Sequence, residues 1–123
     1  MVLVDTSVWV DHLCKDNTPL VNLLNQGRVS IHPFVIGELA CGNLGNRKEI
    51  LSLLQALPQT EKASDDEILF YIEKNQLSGK GLGLIDVHLL ASAQLSDNLF
   101  WTKDRRLHET AKKMKLAYTP VPD

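Results

Sequence analysis

Residues 2–13 read Val2-Leu3-Val4-Asp5-Thr6-Ser7-Val8-Trp9-Val10-Asp11-His12-Leu13, and this stretch decides the fold class. Val2-Leu3-Val4 is a continuous apolar run of strand type. Asp5-Thr6-Ser7 interrupts it, and Val8, Trp9, Val10 and Leu13 then return at roughly helical spacing. A buried strand that passes through a polar turn into a helix is the opening of an α/β unit.

The alternation continues downstream. A helix is predicted around Pro19–Gln26, stopped by Gly27, and Val29-Ser30-Ile31 is a second strand leading to Pro33. Proline suits the first turn of a helix, here one carrying Phe34, Val35, Ile36, Leu39 and Ala40 and ending near Gly42. Arg47–Leu57 reads as another helix, a short strand is expected after Pro58, and Ser64 with Glu67 three residues on marks a helix N-terminus. Ser78–Gly83 is a glycine-rich loop that fits no nucleotide-binding glycine pattern, and Leu84–Leu95 is apolar enough for a buried helix. Leu99–Thr102 is a strand, Asp104–Lys115 an amphipathic helix and Leu116–Thr119 a last short strand. Short apolar strands alternating with helices pair in parallel through right-handed crossovers. The expectation is an α/β fold, a three-layer helix/sheet/helix sandwich around a mainly parallel sheet, in a single domain spanning residues 1–123.

Composition agrees with one soluble core: 123 residues, 44% hydrophobic and 23% charged. A chain of this size needs no disulfide or structural metal to fold, so any metal would serve chemistry. The net charge of −2 excludes a protein coated in positive charge. From Trp101 onward, however, Lys103, Arg105, Arg106, Lys112, Lys113 and Lys115 face only Asp104, Glu109 and Asp123, which suits either a phosphate chain or a solvated amphipathic helix. Cys14 and Cys41 lack Cys-x-x-Cys spacing and are read as free thiols in apolar, helical surroundings. Asp5 and Asp11 interrupt the apolar N-terminal residues, arguing against a secretion signal or membrane span and for a cytoplasmic protein.

In parallel sheets, sites form beyond the carboxyl ends of the strands. Asp5 follows the first strand directly, Asp104 lies two residues beyond Thr102, Glu38 sits on the helix entered from the second strand, and Asp86 lies on the apolar helix. Each has a bland explanation: Asp5, Asp86 and Asp104 as helix caps, Glu38 as the partner of an arginine. The helical neighbours of Glu38 and Asp86 are apolar or small, so both are expected to project from faces where an unpaired charge is costly. Four acids recurring on one side of the sheet are better explained together. Close carboxylates repel, and a set of oxygen donors without Cys or His suits a hard cation such as Mg²⁺ or Mn²⁺ and disfavours zinc. The matching chemistry is phosphodiester hydrolysis by water, with no side-chain nucleophile.

These residues also resemble a known family. Val4-Asp5-Thr6-Ser7-Val8-Trp9, Gly37-Glu38-Leu39, Leu84-Ile85-Asp86-Val87-His88-Leu89-Leu90-Ala91-Ser92-Ala93 and Trp101-Thr102-Lys103-Asp104 resemble the successive motifs of PIN-domain proteins, in particular VapC-type ribonuclease toxins. The resemblance spans nearly the whole chain. It implies a PIN fold, Mg²⁺ or Mn²⁺ dependence with one or two ions, endonucleolytic RNA cleavage, a homodimer, and inhibition by a VapB-type antitoxin. It assigns Asp5, Glu38, Asp86 and Asp104 to the acidic quartet that is catalytic and holds metal, and Ser7 and Thr102 to supporting hydroxyl positions. Lys103, Arg105 and Arg106 flank Asp104 and are candidates for RNA phosphate contacts. Two other readings stand beside it: a catalytically silent PIN-like binding module, and an α/β domain in which Asp5 accepts a phosphoryl group. The four histidines share no metal-ligand spacing, and His88 is read as structural.

Overall fold

A computed structural model describes residues 1–121; Pro122 and Asp123, the end of the expected 1–123 domain, lie outside them. The order of elements is β1 (Val2–Val4), α1 (Thr6–Cys14), α2 (Thr18–Asn25), β2 (Val29–Ser30), α3 (Pro33–Cys41), α4 (Arg47–Gln55), α5 (Asp65–Lys74), α6 (Leu84–Leu95), β3 (Leu99–Trp101) and α7 (Arg105–Lys113). The three strands are parallel in the order β2-β1-β3, with Val2 opposite Val29 and Leu99, and Val4 opposite Trp101. Helices flank this sheet as the sandwich requires.

All three residues of β1 are buried, which is why its apolar run has no polar alternation: as the central parallel strand it is covered on both faces. The core joins β1 and Phe100 and Trp101 of β3 to Val8 and Trp9 of α1, Leu20 and Leu23 of α2, and Leu89, Leu90 and Ala93 of α6. A smaller cluster of Ala63, Ile68, Leu77, Val87 and Ala91 packs α5 on α6.

Local signals place the helix starts. Ser64 Oγ accepts from Glu67 N at 3.1 Å while Glu67 Oε1 accepts from Ser64 N at 2.9 Å, the reciprocal cap its spacing predicts. Pro33 opens α3 behind His32, whose Nδ1 accepts from Phe34 N at 2.9 Å.

Several expectations change. The strands expected after Pro58 and over Leu116–Thr119 reduce to single parallel bridges, Ile31 with Gln59 and Phe100 with Ala117. They extend the two sheet edges by one rung each, and Pro58 and Pro120 border them, so pairing cannot propagate. The apolar helix is buried only from Val87 to Ala93; Leu84, Ile85 and Leu95 at its ends are exposed. Cys14 and Cys41 are free thiols, as expected, but exposed, because each closes its helix at the surface rather than facing the core.

Candidate active site

The first strand ends where the site begins. Asp5 N donates to the carbonyl of Trp101 at 2.9 Å, tying the exits of β1 and β3 together. The geometry places Asp5 at the N-cap of α1, but its side chain makes no cap hydrogen bond. Instead Asp5 Oδ2 accepts from Thr102 Oγ1 at 2.7 Å and from Ser7 Oγ at 2.9 Å. Both hydroxyls in turn accept from backbone amides: Ser7 Oγ from Lys103 N and Thr102 Oγ1 from Asp104 N, each at 3.0 Å. A carboxylate only 7% exposed is thereby held by donors from two elements 97 residues apart in sequence. A buried carboxylate needs such donors, since each stabilises its charge where water cannot. A phosphoacceptor must be open to attack, and this enclosure argues against the phosphoacceptor reading of Asp5.

The other three acids reach the same end of the sheet by separate routes. Asp86, at the third position of α6, accepts through Oδ2 from Gly83 N at 3.0 Å, so it serves the start of its own helix rather than capping one that begins later. Burial raises its pKa above the ordinary aspartate value, the Gly83 amide pulls it down, and the charges of Asp5 and Asp104 push it up further. Three carboxylates from β1, α6 and α7 thus lie within electrostatic reach of one another. Asp104 is exposed and caps α7, accepting through Oδ1 from Leu107 N at 2.9 Å. The capping explanation describes that contact correctly and leaves Oδ2 of Asp104 without a protein partner.

Glu38 departs from expectation. It is exposed on α3 rather than held on an apolar face, with Cys41 and Gly42 of its helical neighbours exposed as well. Its Oε1 accepts from Thr6 Oγ1 at 2.7 Å, not from an arginine. Thr6 escaped the reading from sequence because its partner lies 32 residues away, although the Asp5-Thr6-Ser7 triplet contains the signal: three successive residues that each bind or are a carboxylate.

Among the described residues no three His, Cys, Asp or Glu side chains stand close enough to hold a metal ion as they are. Like charges repel, and Asp5, Glu38, Asp86 and Asp104 each accept a hydrogen bond from within the protein. The chemistry of the donor set nonetheless fits a hard divalent cation, being carboxylate and hydroxyl oxygens with no thiolate or imidazole in contact.

The three flanking cations have different fates. Lys103 Nζ is 3.1 Å from Asp11 Oδ1, and this contact with Asn17 holds the Asp11 carboxyl below the usual range. Arg105 is exposed, while Arg106 lies against the glycine-rich loop. His88, buried beside Val87 in α6, contacts Phe34 and His32 instead of the carboxylates.

The chain matches the PIN domain family over residues 2–113. It is 43% identical over 108 residues, 87% of each chain, to Ribonuclease VapC32 of two Mycobacterium tuberculosis strains. Its fold is similar to that of PAE2754 from Pyrobaculum aerophilum, with a TM-score of 0.59 at 18% identity, covering 89% of this chain and 78% of that one. It is similar also to FitAcB from Neisseria gonorrhoeae, with a TM-score of 0.59 at 20% identity over 91% of this chain and 94% of that one. The match over residues 2–113, with 43% identity to a relative across 87% of both chains, makes this chain a member of the PIN domain family.

Proposed function

We propose that the protein is an endoribonuclease that hydrolyses RNA phosphodiesters with Mg²⁺ or Mn²⁺ and acts as the toxin of a VapBC-type pair. The observation that carries this reading is the buried Asp5 carboxylate, held by Ser7 and Thr102, with Asp86 near enough that the charges of Asp5 and Asp104 add to the burial that raises its pKa. The 43% identity to a ribonuclease over most of both chains supports the same chemistry.

Asp5, Asp86 and Asp104, with Glu38 alongside, would hold one or two divalent ions. A bound ion supplies charge neutralisation at a phosphate oxygen and lowers the pKa of attacking water. The chain's own contribution is orientation. Ser7 and Thr102 fix the Asp5 carboxylate, Thr6 steers Glu38 toward the exit of β1, and the Gly83 amide fixes Asp86, whose burial and acidic neighbours raise its pKa. Because Asp86 must be ionised to bind a cation, cleavage should weaken on acidification at a higher pH than an ordinary aspartate would impose.

RNA is the substrate and a VapB-type antitoxin the protein partner in this reading, and both place the protein in the cytoplasm. No helix among the described residues is long and apolar enough to cross a membrane. The homodimer that the family resemblance implies has apolar surface to cover in the exposed Leu69 and Phe70 of α5 and Leu95 of α6.

Incubation of purified protein with single-stranded RNA tests the proposal. Mg²⁺ or Mn²⁺ should support internal cleavage, EDTA should stop it, and Asp5→Ala or Asp86→Ala should abolish it in folded protein. Cleavage that is indifferent to EDTA, or undiminished in both variants, contradicts it. Neither cleavage nor ion-dependent stabilisation would leave a silent binding module.

A further inference from the structure

Gly81 has φ +76°, a conformation that L side chains rarely adopt, and its open face is covered by one side chain. A Cβ placed there would run into Arg106 Nη1, with Arg106 Cζ at 3.3 Å and Cδ at 3.4 Å. The guanidinium therefore lies on the backbone of the loop at residues 78–83, occupying the space that any larger residue would fill. That loop ends at Gly83, the residue whose amide Asp86 holds, and Arg106 sits two residues beyond Asp104. Arg106 thus bridges the two segments that deliver Asp86 and Asp104.

Among the described residues Lys103 and Asp11 form the ion pair, and no side chain there accepts a hydrogen bond from the Arg106 guanidinium. The groups acting on Asp86 are its burial, the Gly83 amide and the Asp5 and Asp104 charges. The exposed Arg106 guanidinium rests over a glycine beside an acidic end in a chain of net charge −2. Acids repel an approaching polyanion, and a planar cation at their rim offsets that repulsion while offering a fork that fits phosphate oxygens.

We propose that Arg106, seated on Gly81, binds a non-scissile phosphate of single-stranded RNA and so aligns the strand across the carboxylate end, with Gly81 as the position that holds it. This inference rests on the ribonuclease reading for the identity of the strand. It separates Arg106 from its neighbours: Lys103 is engaged by Asp11, and Arg105 has no seat on the loop.

Fluorescence anisotropy of a labelled single-stranded RNA oligonucleotide, measured over a salt series, tests it alongside cleavage of the same RNA with Mn²⁺. Arg106→Ala should weaken binding about tenfold and flatten the salt dependence by the slope of one phosphate contact, about 0.7. Arg106→Lys should keep the slope and recover part of the affinity, because it retains charge without the fork. Gly81→Ala should weaken binding in the same direction, and Gly81→Ala with Arg106→Ala should be no weaker than Arg106→Ala alone. Lys48→Ala, the same loss of charge on exposed α4, should leave affinity within about twofold. In cleavage, the effect of Arg106→Ala should fall on KM more than kcat. Arg106→Ala binding like Lys48→Ala, or losing melting temperature and kcat with the salt slope unchanged, overturns the inference and makes the contact a structural latch. Wild-type protein that binds RNA without cleaving it sinks the nuclease reading instead, and failure of the wild type to bind overturns both.

Discussion

Two regions of this small protein handle buried polar groups in opposite ways. At the carboxylate end, Asp5 is 7% exposed, and its Oδ2 receives two hydroxyl hydrogen bonds whose donors themselves accept from backbone amides. In the seam between β2 and α6, His32 is fully buried, yet His32 Nε2, His88 Nδ1, Thr60 Oγ1 and Ser92 Oγ find no hydrogen-bond partner among the described residues. The two imidazoles stand 6.4 Å apart, with the Phe34 ring 4.9 Å from His32 and 4.8 Å from His88. A carboxyl group is accommodated in the first region by the hydroxyl donors on its Oδ2. Titratable groups survive at the second because they are kept neutral: burial, then the neighbouring His88 and Lys62 charges, drive the pKa of His32 down to about 4. One region is organised to hold charge for chemistry and the other to exclude it for stability.

The comparison can be broken by substitution. The largest effect is expected where charge itself is removed: Asp86→Asn should lower RNA cleavage on the order of a thousandfold with little change in melting temperature, because in a cooperating constellation loss of one member removes most of the function. Single-turnover cleavage and thermal melts of the same preparation check both halves.

Next is the response of the histidine seam to acid. The unfolded chain protonates His32 near pH 6.5, whereas the folded chain resists until about 4. Stability from this group is therefore intact above pH 6.5 and lost as pH falls toward 4, by up to about 3 kcal/mol. His88, lowered chiefly by its own burial, acts in the same direction. Urea unfolding at pH 7, 5.5 and 4 should show the decline, and His32→Leu should flatten it over that window.

A smaller effect is expected at a supporting hydroxyl. Thr102→Val removes a donor to Asp5 and an acceptor for Asp104 N, and should lower cleavage about 10–100-fold. If its loss acts through Asp5, Thr102→Ser should restore most activity. The least is expected at the rim: the Lys103–Asp11 pair is solvent-facing, so Lys103→Met should cost well under about 1 kcal/mol in thermal stability.

The legible part of this molecule was what chain-local physics controls. Val2-Leu3-Val4 and Leu99-Phe100-Trp101 announce buried parallel strands, Ser64 and Glu67 announce a cap, and Asp5 and Asp104 beyond strand ends, with Glu38 and Asp86 on helices, announce a charged site. Burial of Glu38 was inferred from neighbours at helical spacing, which describes a helix face without saying what packs on it; α3 turns that face to solvent. The pairings that define the site, Thr6 with Glu38 and Thr102 with Asp5, join residues 32 and 97 positions apart, and no local pattern encodes them. Nor does a glycine-rich loop reveal that Arg106 covers Gly81. Fold class follows from periodicity, whereas the precision of a site follows from contacts made only after the chain closes.

Anomalous scattering from crystals grown with Mn²⁺ bears most directly on the claim that carboxylates distant in sequence work as one cation site. A strong peak bonded to Asp5 and to at least one of Asp86 and Asp104, lost in Asp5→Asn, is the expected result. Manganese bound elsewhere, or none in protein that still cleaves RNA, would contradict it.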